Sequence, residues 1–139
     1  MEEIIKKYEN DKKIKNIIHL SDIHIRLNKN NSRYDEYIKV FNNLINNLSN
    51  YNNLHETIIL ITGDIFHDKN VIDSNGIALF NNLMAGLTKL TSVYLIMGNH
   101  DYRQEFDNDE IDILSALIND TNIPNLYYLK KNRIILNWN

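Results

Sequence analysis

Ile17, Ile18 and Leu20 form a short apolar run that breaks into Ser21-Asp22, the pattern of a buried strand ending in a polar loop. From Tyr34 onward the period changes. Tyr34, Tyr37, Ile38, Phe41, Leu44, Ile45 and Leu48 recur at steps of three and four residues, which predicts an amphipathic helix with one apolar face. Thr57 to Ile61 reads as a second continuous apolar strand, stopped by Thr62-Gly63-Asp64. A second helix is predicted from the stripe Ile77, Phe80, Leu83, Met84, Leu87 and Leu90, with Asp73 or Ser74 as its cap. Val93 to Met97 is a third strand, ending at Gly98-Asn99. This alternation predicts an α/β fold, a parallel sheet covered by helices. Further on, Ile111, Leu114, Leu117 and Ile118 predict a third helix, with Pro124 after it. Leu126 to Leu129 and Arg133 to Leu136 predict strands flanking a Lys131-Asn132 turn, a hairpin.

Composition narrows the function classes. A chain of 139 residues holds one compact domain with a core. No apolar run approaches the roughly 20 residues that span a bilayer, and Met1 opens onto Glu2-Glu3 instead of a basic, then apolar, signal region. The expectation is a soluble, intracellular protein without a membrane partner. The absence of cysteine excludes disulfides, thiol nucleophiles and zinc-thiolate sites, so any metal must sit on His, Asp, Asn or Glu. A net charge of -3 argues against broad nonspecific nucleic-acid binding, and Lys6, Lys7, Lys12, Lys13 and Lys15 read as a solvated face near the start.

Chemistry-bearing residues gather where the three predicted strands end: Asp22-Ile23-His24, Gly63-Asp64-Ile65-Phe66-His67 and Gly98-Asn99-His100-Asp101. In open parallel sheets ligands bind outside the carboxyl ends of the strands, so these loops should converge on one crevice. Carboxylates and imidazoles suit Mn²⁺, Fe or Zn²⁺, and a carboxylate has two oxygens with which to bridge two ions, a role that falls naturally to Asp64. Glycine at 63 and 98 lets the backbone turn tightly and approach ions or phosphate closely. Two metals about 3.5–4 Å apart suit in-line displacement at phosphorus.

Taken together the three segments resemble the first three motifs of the calcineurin-like metallophosphoesterases, Asp-X-His, Gly-Asp and Gly-Asn-His-Asp. The resemblance covers roughly residues 16 to 101 and implies the N-terminal half of an αββα sandwich with two divalent ions, Mn²⁺ favoured and Fe or Zn²⁺ alternative. It places Asp22 and His24 on the first metal, Asp64 between the two and Asn99 on the second. His100 would stabilise the transition state or protonate the leaving oxygen, with Asp101 orienting its ring. Within the class, Ser21-Asp22-Ile23-His24-Ile25-Arg26, Arg33-Tyr34-Asp35 and Gly63-Asp64-Ile65-Phe66-His67 are most similar to the SbcD-like DNA repair nucleases. That similarity implies phosphodiester hydrolysis, DNA as substrate, a possible homodimer and an SMC-like ATPase partner. The sequence after His67 departs from the pattern, lacking its proline and serine.

The family completes its site with a lone histidine and a Gly-His-X-His motif, yet no histidine follows His100. Residues 1–139 are therefore expected to be a metallophosphoesterase domain incomplete at its C-terminus, inactive alone. A phosphomonoesterase or nucleotidase on the same scaffold, or a noncatalytic remnant that binds only metal or a partner, are the alternative readings. His67 either faces the scissile region or hydrogen-bonds a neighbouring loop. His19 reads as a satisfied core histidine and His55 as solvated, the tyrosines read as core and boundary residues, and Arg26 and Arg33 are candidate phosphate contacts.

Overall fold

The computed structural model describes residues 14–27, 33–68, 72–96, 98 and 113–129. Along the chain run β1 (Asn16–Leu20), α1 (Tyr34–Ser49), a 3-10 turn (Leu54–Glu56), β2 (Thr57–Thr62), α2 (Ser74–Thr88), β3 (Val93–Ile96), α3 (Ile113–Thr121) and β4 (Leu126–Tyr128). The strands form one sheet in the order β1-β2-β3-β4, and every pairing is parallel. The predicted α/β architecture of a parallel sheet with covering helices is what folds. The fourth strand goes beyond the sequence reading. Leu126–Tyr128 had looked like one arm of a hairpin, but it joins β3 in parallel register through α3, with Val93 opposite Leu126. The proposed second arm at 133–136 lies outside the described residues.

Each crossover steps in the same direction across the sheet. Right-handed connections taken in one direction put all their helices on one face, and the core has that composition. Ile59, Ile61, Val93, Leu95 and Leu126 from the strands pack with Phe41 of α1, Leu79, Phe80, Leu83, Met84 and Leu87 of α2, and Leu114 of α3. Register assigns Ile18 and Leu20 to this face as well, and both pack against the same cluster. The opposite face carries Ile17, His19, Ile58, Leu60, Tyr94, Ile96 and Tyr127. On it the rings of Tyr94 and Tyr127 stack with centroids 5.0 Å apart.

α2 is the central helix of the layer. Asp73, in an extended conformation, accepts a hydrogen bond from the Gly76 amide at 2.7 Å and so caps it, as the sequence suggested. Its buried surface is wider than the expected stripe, because Leu79 is fully buried too. α1 lies further out and buries only Phe41. The two helices approach closely at Gly86, where a Cβ would collide with the end of the Ile45 side chain.

β1 was expected to be a buried strand, but it alternates between covered and exposed residues. It is an edge strand among the described residues, so only its helix-facing side chains enter the core. His19 is accordingly an outward, exposed residue and no core histidine, although its Nε2 shares a 2.7 Å hydrogen bond with Thr62 Oγ1. At its start the strand is tied to β2 by the Lys15 amide, which donates to Glu56 O at 2.8 Å, and by an ion pair between the same residues. The hydrogen bond from Lys15 holds the Glu56 carboxyl below its ordinary range.

The central and edge strands make opposite demands on isoleucine. Ile61 has no exposed surface, whereas Ile17 keeps 43% of its own. Ile61→Ala should therefore cost about 2–5 kcal/mol, and Ile17→Ala about 0.5 kcal/mol or less, in urea unfolding monitored by circular dichroism.

Candidate metal centre

The register that pairs β1 with β2 continues beyond both strands. Leu20 pairs with Ile61, and after the two polar loops Ile25 forms a bridge with Phe66, partners 41 residues apart in each case. The loops at 21–24 and 62–65 therefore run in step. They are joined by backbone hydrogen bonds: His24 N to Asp64 O at 2.9 Å, Ile25 N to Ile65 O at 2.7 Å and His67 N to Ile25 O at 3.1 Å. Ile25, Ile65 and Phe66 are buried beneath them, so the polar loops sit on an apolar anchor.

Backbone strain collects in this short region. Asp22, His24 and Asp64 all have positive φ, at 56°, 47° and 53°, and Gly63 precedes Asp64 at 94°. Left-handed conformations are uncommon for residues with a Cβ, cost roughly 1–3 kcal/mol each and cluster at functional sites. Only glycine enters such a conformation freely, which accounts for Gly63.

The strained turns bring three side chains together. One ligand atom from each of Asp22, His24 and Asp64 lies within 4.8 Å of the others. His24 Nε2 stands 3.6 Å from Asp22 Oδ1, and the Ser21 hydroxyl donates to Asp22 Oδ2 at 2.5 Å. Two carboxylates and one imidazole form a mixed hard-oxygen and nitrogen donor set, suited to Mn²⁺, Fe or Zn²⁺. The residues present thus fit a divalent cation.

The third strand reaches the same place. A Cβ on Gly98 would run into the Asp64 amide and carboxylate and would stand 2.9 Å from Gly63 Cα. The absence of a Cβ at this position lets the chain after β3 abut Asp64 itself. Asn99, His100 and Asp101, the next three residues, lie outside the described residues. His67 is exposed, and its ring meets that of His24 edge to face with centroids 5.7 Å apart. Of the seven residues singled out from sequence, the structure therefore brings Asp22, His24, Asp64 and His67 together.

Next to His67 opens a cleft of about 230 Å³, lined by Ile25, Arg26, Phe66, Asp68 and Asp73 among others. Arg26 is on this cleft. Arg33 is instead engaged on α1, where its Nε donates to Glu36 at 3.1 Å and its guanidinium lies 5.3 Å from the Tyr37 ring centroid. That hydrogen bond, with a smaller contribution from Tyr37, holds the Arg33 guanidinium above its ordinary value. His55 is exposed, as expected. Sequence reasoning missed the Ser21 hydroxyl that meets Asp22 and the Tyr37 hydroxyl that bonds His24 O and the Arg26 amide, because a serine before Asp22 and a tyrosine on an apolar stripe carry no signal of their own.

A parallel sheet whose strand-end loops converge on two carboxylates and an imidazole is consistent with a metal-dependent phosphoesterase fold. The chain belongs to the calcineurin-like phosphoesterases, whose family profile matches residues 15–138. It is also 40% identical over 119 residues to uncharacterized protein R555 of Acanthamoeba polyphaga mimivirus. That alignment covers 85% of this chain, and the chain spans 8% of the length of that relative. Among the described residues no helix is long and apolar enough to cross a membrane.

The tight contact at Gly98 gives a direct check on the centre. Gly98→Ala should displace the Asp64 carboxylate and weaken Mn²⁺ binding by about tenfold or more, measured by calorimetric titration.

Proposed function

We propose that this chain forms part of a protein that, with its ligand set complete, hydrolyses phosphodiesters with two divalent ions, preferably Mn²⁺, and that the substrate is DNA. The convergence of Asp22, His24 and Asp64 within 4.8 Å carries this reading. In it Asp22 and His24 would hold one ion, with Asp64 shared and Asn99 contributing to the second. When bound, the ions would supply Lewis-acid chemistry, neutralising charge on the phosphoryl oxygens and making a water more acidic. The chain's own groups then position the ester and manage the proton. Water would attack phosphorus, forming a P–O bond as the ester P–O bond breaks and releasing its proton to solvent, while the leaving oxygen would take a proton from His100, to which the family resemblance assigns that role with Asp101 as its orienting partner.

A diester differs from a monoester in carrying a second organic group that must find room beside the phosphate. The cleft beside His67, with Arg26 on its wall, offers that room next to the ligand cluster. Such room accommodates a diester, and the nuclease of the SbcD type is preferred to a phosphomonoesterase or nucleotidase on the resemblance of the Ser21–Arg26 and Gly63–His67 segments. An intracellular DNA-repair role, a homodimer and an SMC-like ATPase partner belong to the same reading.

In a form that completes the ligand set, and with Mn²⁺ present, the protein should hydrolyse bis-p-nitrophenyl phosphate faster than p-nitrophenyl phosphate, whereas residues 1–139 alone should show little or no turnover; a faster monoester reaction would overturn the nuclease assignment. The substitutions that follow are read in that completed form. Asp64→Ala should lower kcat by on the order of 10³-fold, because both ions lose a ligand. His67→Ala should lower it by about 10²-fold, the scale expected when substrate is misplaced. Equal losses with metal content retained would refute the bridging role of Asp64.

A further inference from the structure

Outside the ligand cluster, one side chain makes two hydrogen bonds to the loop that carries His24. The Tyr37 hydroxyl, reaching across from α1, donates to His24 O at 2.8 Å and accepts from the Arg26 amide at 3.0 Å. These are the groups on either side of Ile25. The amide and carbonyl of Ile25 itself are turned the other way, to Ile65 O and the His67 amide. Ile25 is thus paired on its inner side, while the His24 carbonyl and the Arg26 amide that flank it face outward. A second strand would ordinarily satisfy that outer side. Here a single oxygen does so.

Only a group that both donates and accepts can take this place. A hydroxyl qualifies, whereas lysine and arginine only donate, an ionised carboxylate only accepts and phenylalanine does neither. The ring is itself held in position. The Arg33 guanidinium lies 5.3 Å from its centroid, and the Phe41 ring packs against it at 5.8 Å. Arg33, Tyr37 and Phe41 follow one another at four-residue steps on the same helix face, and Phe41 is buried in the core. The hydroxyl is therefore presented by a rigid element.

We propose that Tyr37 is a positioning residue for the metal centre, its hydroxyl clamping the backbone around Ile25 and so holding His24 in the left-handed turn that aims its imidazole at Asp22 and Asp64. The proposal rests on the metal-centre reading above. The φ of 47° at His24 is a conformation the isolated chain would rarely hold, and the bond from its own carbonyl to Tyr37 opposes its relaxation. Without the hydroxyl, the ring still fills its place but the turn has one anchor fewer. Groups that orient a ligand from outside the coordination sphere typically contribute 10–100-fold to metal affinity.

The test compares Tyr37→Phe, Leu48→Ala and Asp64→Asn with the unaltered protein, using Mn²⁺ alone in calorimetry and Co²⁺ alone for its visible absorption. Tyr37→Phe should keep cooperative unfolding, bind Mn²⁺ about tenfold more weakly, equal to about 1.4 kcal/mol, and shift the Co²⁺ bands, which report ligand geometry. Leu48→Ala loosens the same helix about three turns away from the hydroxyl, where Leu48 packs against the core, so it should lower stability and leave the Co²⁺ spectrum unchanged. Asp64→Asn should lose most of the binding. Unaltered affinity and spectrum in Tyr37→Phe, with binding lost in Asp64→Asn, would overturn the clamp alone. An equal loss of affinity in Leu48→Ala would overturn it too, by tracing the effect to general loosening. Unaltered binding in Asp64→Asn would overturn the metal-centre reading beneath it.

Discussion

Everything at the site depends on the constant register between β1 and β2. Two parallel strands that separate into loops ordinarily lose their alignment, because each loop follows its own turn chemistry. Here the pairing resumes at Ile25 and Phe66 with the offset it had at Leu20 and Ile61. Loops of equal length closed at both ends can differ little in path, so Asp22 and His24 on one are fixed relative to Asp64 on the other. The hydrogen bond from His24 N to Asp64 O joins the two loops at the ligand residues themselves. A ligand set built this way is positioned by backbone geometry before any cation arrives.

That geometry has a cost that the rest of the fold must cover. Three residues with side chains hold positive φ within the two loops, at roughly 1–3 kcal/mol each. The surroundings that oppose relaxation are identifiable. Beneath lie Ile25, Ile65 and Phe66, which bury almost all of their surface, and Phe66 packs on Phe80 of α2 with ring centroids 5.8 Å apart. On one side Gly98 abuts Asp64, and on the other Tyr37 holds the carbonyl of His24. Strain at the ligands and over-determination around them are thus two aspects of one arrangement.

Much of this was legible in the sequence. The parallel sheet, the covering helices, the Asp73 cap and the ligand loops at strand ends all follow from periodicity and from where apolar runs stop. The loops could be located because strand ends in a parallel sheet share an edge, and the resemblance to the calcineurin-like phosphoesterases then singled out Asp22, His24 and Asp64 within them. What escaped depended on contacts distant in sequence. Three residues, Leu126–Tyr128, are too few to announce a parallel partner, and a nearby turn suggested a local one. His19 looked like a core residue because it interrupts an apolar run, and only the position of β1 at the sheet edge turns it outward. The Tyr37 ring fits the apolar stripe of α1, but nothing in that stripe says what its hydroxyl meets thirteen residues upstream.

The charge arrangement explains why such a site calls for a cation. Asp22 and Asp64 present oxygens within 4.8 Å of each other. Two ionised carboxylates at about that distance repel by on the order of 1–4 kcal/mol, the lower end applying where water screens them. The Asp22 side chain is 67% exposed, so screening keeps the repulsion toward that lower end. The Ser21 hydroxyl relieves it further by donating to Asp22 Oδ2, and the His24 ring between them adds a polarisable neighbour. None of these groups brings a fixed positive charge. A divalent cation would convert the repulsion into two attractions without moving the loops, since their paths are already set by the β1–β2 register. Its binding would draw on a geometry whose conformational cost was met on folding, and the same reasoning makes the anchors at Gly98 and Tyr37 part of the metal's affinity although neither touches it.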